Sequence, residues 1–227
     1  MLNIEKNLTP RLKMIASLVP HSETVCDIGT DHGYIAIYLA KKELAKKIIA
    51  ADIKKGPLLQ AEKNIALFEV SDKIETRLSD GFSAISPDEA DTCIIAGMGG
   101  ETIASILSKE KGCKNFVLQM QTAHAHLRSY LCENGFVIEK EALCKEGMKM
   151  YTALLAKRGE SSALNEVQKE IGPYLIEHRP PLFKDYIRYR LYEIESILKN
   201  ISLAQNAQER KEKCLYLKKE YEKLLEA

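Results

Sequence analysis

Val25-Cys-Asp-Ile-Gly-Thr-Asp-His-Gly33 runs from an apolar strand through two glycines into the start of a helix. That order is the one used at the nucleotide-binding crevices of α/β folds. Gly29 and Gly33 permit backbone conformations and close approaches that a side chain blocks. Their spacing is GxxxG, not the GxGxxG of a dinucleotide fingerprint. The charge of the loop separates the two kinds of ligand. A dinucleotide lays its pyrophosphate on such a loop and needs backbone N–H donors free of neighbouring anions, and Asp27 and Asp31 repel it. S-adenosylmethionine carries no phosphate. Its ammonium and sulfonium groups are both positive, and two carboxylates favour them.

Outward from this loop, short apolar runs alternate with amphipathic stretches. The pattern predicts strands over Thr24–Ile28, Lys47–Asp52, Ile74–Ser79, Asp91–Ala96, Asn115–Gln119, Phe136–Leu143 and Lys149–Ala156. Helices are expected near Tyr34–Ala45, Pro57–Phe68, Glu101–Lys109 and Ala123–Glu133, with an N-terminal helix showing Leu8, Leu12, Ile15 and Leu18 on one face. Strands separated by helices imply a doubly wound, mostly parallel sheet with right-handed crossovers. The last two strands, parted only by Cys144–Met148, read as an antiparallel pair at one edge.

Acidic residues follow the next two strands as well. Asp52 ends the second, 25 residues after Asp27, where a carboxylate accepts hydrogen bonds from ribose hydroxyls. Asp80-Gly81, after the third, is placed to face an adenine. Each aspartate taken singly also suits a cap or a turn; three in register beside one crevice favour a methyl donor. After the fourth strand, Ala96-Gly-Met-Gly-Gly-Glu101 opens space where an acceptor has to lie in line with the sulfonium. Met98 is placed to line it, and Glu101 also suits a helix N-terminus.

Gly159–Ser162 reads as a linker, dividing residues 1–158, the donor-binding part, from a helical part over 159–227. In the latter, Ile187, Leu191, Ile194, Leu198 and Ile201 recur at heptad-like spacing, as do Cys214, Leu217, Tyr221 and Leu224. They suggest an antiparallel, coiled-coil-like hairpin, with two amphipathic helices folded back on the main part as the alternative. The chain of 227 residues has a formal net charge of +1, divided at Ala156 as −1 and +2. An RNA partner therefore requires a local basic face. No apolar run approaches the roughly 20 residues of a membrane span, and the first residues lack the pattern of a signal peptide; a cytoplasmic protein is expected. The six cysteines show no CxxC and no pairing with histidine, so no metal site and no disulfide are expected. His124 and Arg128 read as a polar helix face.

At these residues the chain resembles the TrmK family, bacterial tRNA (adenine(22)-N1)-methyltransferases of the Rossmann-like, S-adenosylmethionine-dependent class. Leu8-Thr-Pro-Arg-Leu12 is similar to the family's N-terminal Arg-Leu element, Asp27-Ile-Gly-Thr-Asp-His-Gly-Tyr34 to its donor loop, and Ala51-Asp52 and Asp80-Gly81 to its next two motifs. Ala96-Gly-Met-Gly-Gly-Glu101 matches its fourth-strand loop. Ile171-Gly-Pro-Tyr-Leu175 through Pro181-Leu-Phe183 is similar to its C-terminal part. The chain departs from the family at Leu118-Gln119-Met120-Gln121, where Leu-Gln-Pro is usual; proline would stiffen that loop.

With the loops themselves, the resemblance implies a donor site of Arg11, Asp27, Gly29, Thr30, Gly33, Tyr34, Asp52, Ile53, Asp80, Gly81, Phe82, Gly97 and Met98. It implies Met98, Gly99, Gln119 and Arg188 on the acceptor side. Asp31 and His32 are the catalytic candidates: Asp31 to stabilise the cation that forms on the base, His32 to orient Asp31, contact the base or cap the following helix. Tyr34, Phe82 or Met98 is available to stack on the adenine. Arg11, Lys13, Arg179, Lys184, Arg188 and Arg190 are candidates to grip phosphates, with solvated helix faces as the alternative. The partner implied is tRNA; the oligomeric state stays open. A small-molecule or protein methyltransferase, and a donor-binding scaffold without turnover, are the rival readings.

Overall fold

The computed structural model describes residues 3–200 and 207–226. A 3-10 turn at Ile4–Lys6 and helix α1 (Pro10–Ser17) precede β1 (Ser22–Ile28), α2 (Tyr34–Lys41), β2 (Ala45–Asp52), α3 (Lys55–Leu67) and β3 (Ile74–Leu78). There follow β4 (Thr92–Gly99), α4 (Gly100–Leu107), β5 (Asn115–Thr122), α5 (His124–Glu133), β6 (Phe136–Glu146) and β7 (Lys149–Arg158). Helices α6 (Glu166–Ile171), α7 (Pro173–His178), α8 (Phe183–Asn200) and α9 (Ala207–Glu226) complete the described chain.

The seven strands make one sheet in the order β3-β2-β1-β4-β5-β7-β6. The first five are parallel; β7 lies antiparallel between β5 and β6. The central strands are apolar on both faces, as a sheet covered on both sides requires: Val25, Cys26, Ile94, Ile95, Val117 and Leu118 are all fully buried. One face packs Ile15, Ile37 and Leu39 of α1 and α2 with Ile65 of α3. The other packs Ile103, Leu107, Leu127 and Leu131 of α4 and α5, with Phe116 and Phe136 edge to face at 5.2 Å. The sheet order reverses between β1 and β4, so the crevice at the carboxyl ends of these strands is the expected ligand position.

The expected fold class and the antiparallel edge pair are present, while some boundaries move. The helix expected to reach Ala45 stops at Lys41, because Glu43 takes a left-handed φ of 55° and Leu44-Ala45 turn into β2. Strand β4 runs three residues past Ala96, to Gly99, through an irregular register opposite Gln119–Thr122. The link between β6 and β7 shrinks to a two-residue turn, Gly147-Met148.

The helices after Arg158 build a third core from Ile171, Leu175, Phe183, Tyr186, Ile187 and Tyr221, to which β7 contributes Met150. Helices α8 and α9 run antiparallel: Lys184 Nζ donates to Leu225 O (3.2 Å), and Lys218 pairs with Glu195 (2.8 Å). Ile187, Ile194, Cys214, Leu217 and Tyr221 of the heptad pattern are buried there; Ile201 lies outside the described residues. Because α6, α7 and β7 share this core, the two helices are not an isolated coiled coil.

Arg128 corrects the sequence reading. It is not on a polar helix face: its side chain is 0% exposed and donates to Glu141 Oε1 at 2.9 Å, itself fully buried. The guanidinium also donates to the carbonyls of Lys169, Glu170 and Ile171 at the end of α6. Glu141 Oε2 in turn accepts from the N–H groups of Tyr174 and Leu175 at the start of α7. The cation thus meets the carbonyl end of one helix and the anion the amide end of the next. Gly172 joins the two helices at φ +117°, and a Cβ there would stand 2.2 Å from Glu141 Oε2. His124 is half-buried; burial, with Arg190 and Arg128 nearby, holds its pKa well below the usual histidine range.

Candidate active site

Two adjoining cavities, of about 420 and 290 Å³, open at the carboxyl ends of β1, β2 and β4. Each falls near the lower part of the ~300–1,000 Å³ range of ligand sites. They share three wall residues, Gly29, Asp52 and Met98. Gly29 has φ +80°, and a Cβ on it would lie 2.3 Å from the Met98 methyl group. The Met98 side chain therefore rests on the bare backbone of Gly29 and forms the partition.

The first cavity is polar and carries both signs of charge. Asp27, Asp31, His32 and Tyr34 come from the first loop, Asp52 from the end of β2, Gly97 and Met98 from the end of β4, and Arg11 from α1. Asp27 is 5% exposed. Burial pushes its carboxyl up to about 6; Asp52 adds to the rise and the neighbouring Thr30 hydroxyl opposes it. Thr30 Oγ1 itself is buried and meets no hydrogen-bond partner among the described residues. Asp31 is exposed, with His32 Nε2 3.3 Å from its Oδ1, so this pair is weakened by solvent. His32 stacks on Tyr34, ring centres 5.6 Å apart, and takes a left-handed φ of 59°. Asn64 Nδ2 of α3 holds that turn through His32 O at 2.8 Å.

Arg11 is built into the opposite wall. Its Nη1 donates to Gln119 Oε1 at 3.2 Å, and the same oxygen accepts from Gly97 N, also at 3.2 Å. The guanidinium lies 5.7 Å from the Tyr151 ring centre, and Arg11 N donates to Glu146 Oε2 at 3.2 Å. Gln119 is fully buried and acts through Arg11 and Gly97, not as part of an acceptor-facing surface.

The second cavity takes Ile53, Asp80, Gly81, Phe82 and Met98 of the sequence-derived set. Phe82 is buried in the core beneath it. Asp52 accepts Lys54 N on Oδ1 at 2.7 Å, and no described residue bonds its Oδ2. Gly33 and Gly99 line neither cavity: they are the N-caps of α2 and α4. Arg188 is not brought to the crevice; it stands exposed on α8, paired with Asp185 at 2.9 Å.

Other lining residues were not assigned to the site from the sequence. Leu12 and Ile15 read as part of an apolar stripe, and Thr9 accepts Leu12 N as the N-cap of α1. Thr102 and Ser105 of α4, with Lys109 just past its end, line the second cavity. Only the packing of α1 against β5, β6 and β7, and of α4 against β4 and β5, turns those faces into walls. Among the described residues, no three His, Cys, Asp or Glu side chains gather as a metal site, and no helix is long and apolar enough to cross a membrane.

A family profile described as tRNA (adenine(22)-N(1))-methyltransferase, TrmK, matches residues 25–224. The chain belongs to the TrmK family. The tRNA (adenine(22)-N(1))-methyltransferase of Bacillus subtilis (strain 168) is 30% identical over 218 residues, 92% of each chain. The crystal structure of B. subtilis TrmK superposes with a TM-score of 0.80 at 28% identity, over 96% of this chain and 98% of that one. The structure of M. capricolum TrmK in complex with S-adenosyl-homocysteine gives 0.81 at 26%, over 96% and 98%. TrmK relatives therefore match this chain through both the sheet and the helices that follow it.

Proposed function

We propose that this chain transfers the methyl group of S-adenosylmethionine to N1 of adenine 22 in tRNA, and does so in the cytoplasm. The observation that carries the reading is the charge arrangement of the divided crevice. A buried carboxylate, Asp27, and a fixed guanidinium, Arg11, line one cavity; a ribose-type acceptor, Asp52, stands at the partition; a less polar cavity lies beyond. This set suits a zwitterionic amino-acid end, a ribose and an adenine. Asp27 suits the ammonium and Arg11 the carboxylate, Asp52 the hydroxyls, and Ile53, Asp80 and Phe82 the base.

When bound, the donor supplies an electrophilic methyl group. Adenine N1 has an in-plane lone pair and no proton, so no base has to act before attack. The protein's task is positional, and orientation of this kind is worth ~7–11 kcal/mol. Gly97, near the end of β4, lines the first cavity beside Arg11 without a side chain of its own. The methylated ring is cationic, and a carboxylate beside it lowers the barrier; Asp31 is the group assigned that role and His32 the group that orients it. Incubation with labelled donor and unmodified tRNA, followed by mapping of the modified base, tests the whole proposal. Label at N1 of adenine 22 is expected; label at N6, on protein, or nowhere refutes it.

A further inference from the structure

Methylation at N1 poses a steric problem that the crevice alone does not solve. N1 is the acceptor atom of the Watson–Crick edge, so in a helical stem it is covered by the opposite base, and the adenine has to leave the stack. Proteins that open a stack commonly fill the gap with an apolar side chain such as Leu, Ile, Phe or Met.

One side chain is placed for this. The β6–β7 hairpin ends in the two-residue turn Gly147-Met148, held by the pairs Glu146↔Lys149 and Lys145↔Met150. Gly147 takes φ +60°, the left-handed conformation such a turn needs at its first position. Met148 is thereby presented to solvent and is 91% exposed. Isolated exposed apolar residues are common on surfaces; the position of this one is particular. Glu146 anchors the base of the turn to Arg11 N, and Arg11 lines the donor cavity. On the other side, Lys149 lines a small cavity of about 110 Å³ together with Gln121, near the end of β5, and His124, at the start of α5. Met148 is therefore the tip of a hairpin whose strands reach Arg11 on one side and the end of β5 on the other. Lys145 and Lys149 flank it, both exposed and with no ion pair to a described residue, as phosphate contacts on either side of an opened step require.

We propose that Met148 is the wedge that occupies the stack when the target adenine is turned into the crevice, with Lys145 and Lys149 holding the adjoining backbone. It is a positioning residue, and this rests on the tRNA reading given above. The test compares wild type, Met148→Ala and Met148→Leu on two unmodified tRNAs: one with the target adenine paired, one with the opposite nucleotide changed so that it is unpaired. Unpairing removes most of the cost the wedge offsets. Met148→Ala is expected to lower kcat/KM on the paired substrate about tenfold and to stay within about twofold of wild type on the unpaired one. Met148→Leu should recover most of the loss, with donor affinity by calorimetry the same in all three. Equal losses on both tRNAs, a loss confined to the unpaired one, no loss on either, or a leucine variant no better than alanine overturns the wedge. If wild type methylates neither tRNA, the functional reading itself fails, a separate outcome.

Discussion

Replacing Arg128 by methionine keeps the bulk of a buried side chain while removing its charge. In the native protein the guanidinium meets Glu141 Oε1 and the carbonyls of Lys169, Glu170 and Ile171, at 2.8–3.2 Å. The variant leaves a fully buried carboxylate with two backbone N–H partners and leaves three α6 carbonyls without this donor. Breaking a buried pair by deleting one partner costs about 3–5 kcal/mol. For a chain of this length each kcal/mol is worth ~2–4 °C, so a fall in Tm on the order of 10–15 °C is expected. Urea unfolding followed by circular dichroism, with a parallel thermal melt, measures it. The double variant Arg128→Met/Glu141→Leu removes the stranded charge and should lie closer to wild type than the single one. A loss below about 1 kcal/mol for Arg128→Met, or a double variant less stable than the single, would refute the claim that this pair ties α6 and α7 to the sheet.

Asp27 gives a pH signature. Its carboxyl is raised from 3.8 to about 6 in the native protein, so between those values the native chain holds a proton that the unfolded chain has released. Asp27's contribution to stability is then lost as pH rises from about 4 to 6, and the ionised form is a cost at pH 7. Asp27→Asn should be more stable at pH 7 and lose that slope. Because a cationic ligand end prefers the ionised form, donor affinity in wild type should weaken below about pH 6 and stay weak at every pH in Asp27→Asn; calorimetry across pH 5–7.5 showing a flat wild-type profile would contradict this. Asp52→Ala should weaken donor binding at least tenfold, the ~1.5–3 kcal/mol of a hydrogen bond to a charged group, and unchanged affinity would remove its ribose role.

The alternation of apolar runs and helices made the sheet and its antiparallel edge legible, because buried parallel strands have to be apolar on both faces. The acidic residues after β1, β2 and β3 were legible for the same reason: strand ends are fixed by the pattern, and the crevice lies there. What the sequence hid was tertiary. Arg128 sits on an amphipathic helix like any solvated arginine, and only its pairing with Glu141, 13 residues on in another element, reveals a buried role. Thr9, Leu12 and Ile15 became cavity walls only because α1 packs against β5, β6 and β7. Arg188 carries the charge expected of an RNA contact, but it stands exposed on α8 and lines neither cavity.

Met98 lying on Gly29 has a consequence for how molecules enter. A ligand spanning the amino-acid and nucleoside ends has to cross the thioether, so its binding is tied to the rotation of one flexible side chain. Fragments confined to one chamber, a small zwitterion or a nucleoside, meet no such demand. The two halves of the site are thus separately addressable, and an inhibitor linking them gains by carrying its own replacement for the displaced methionine.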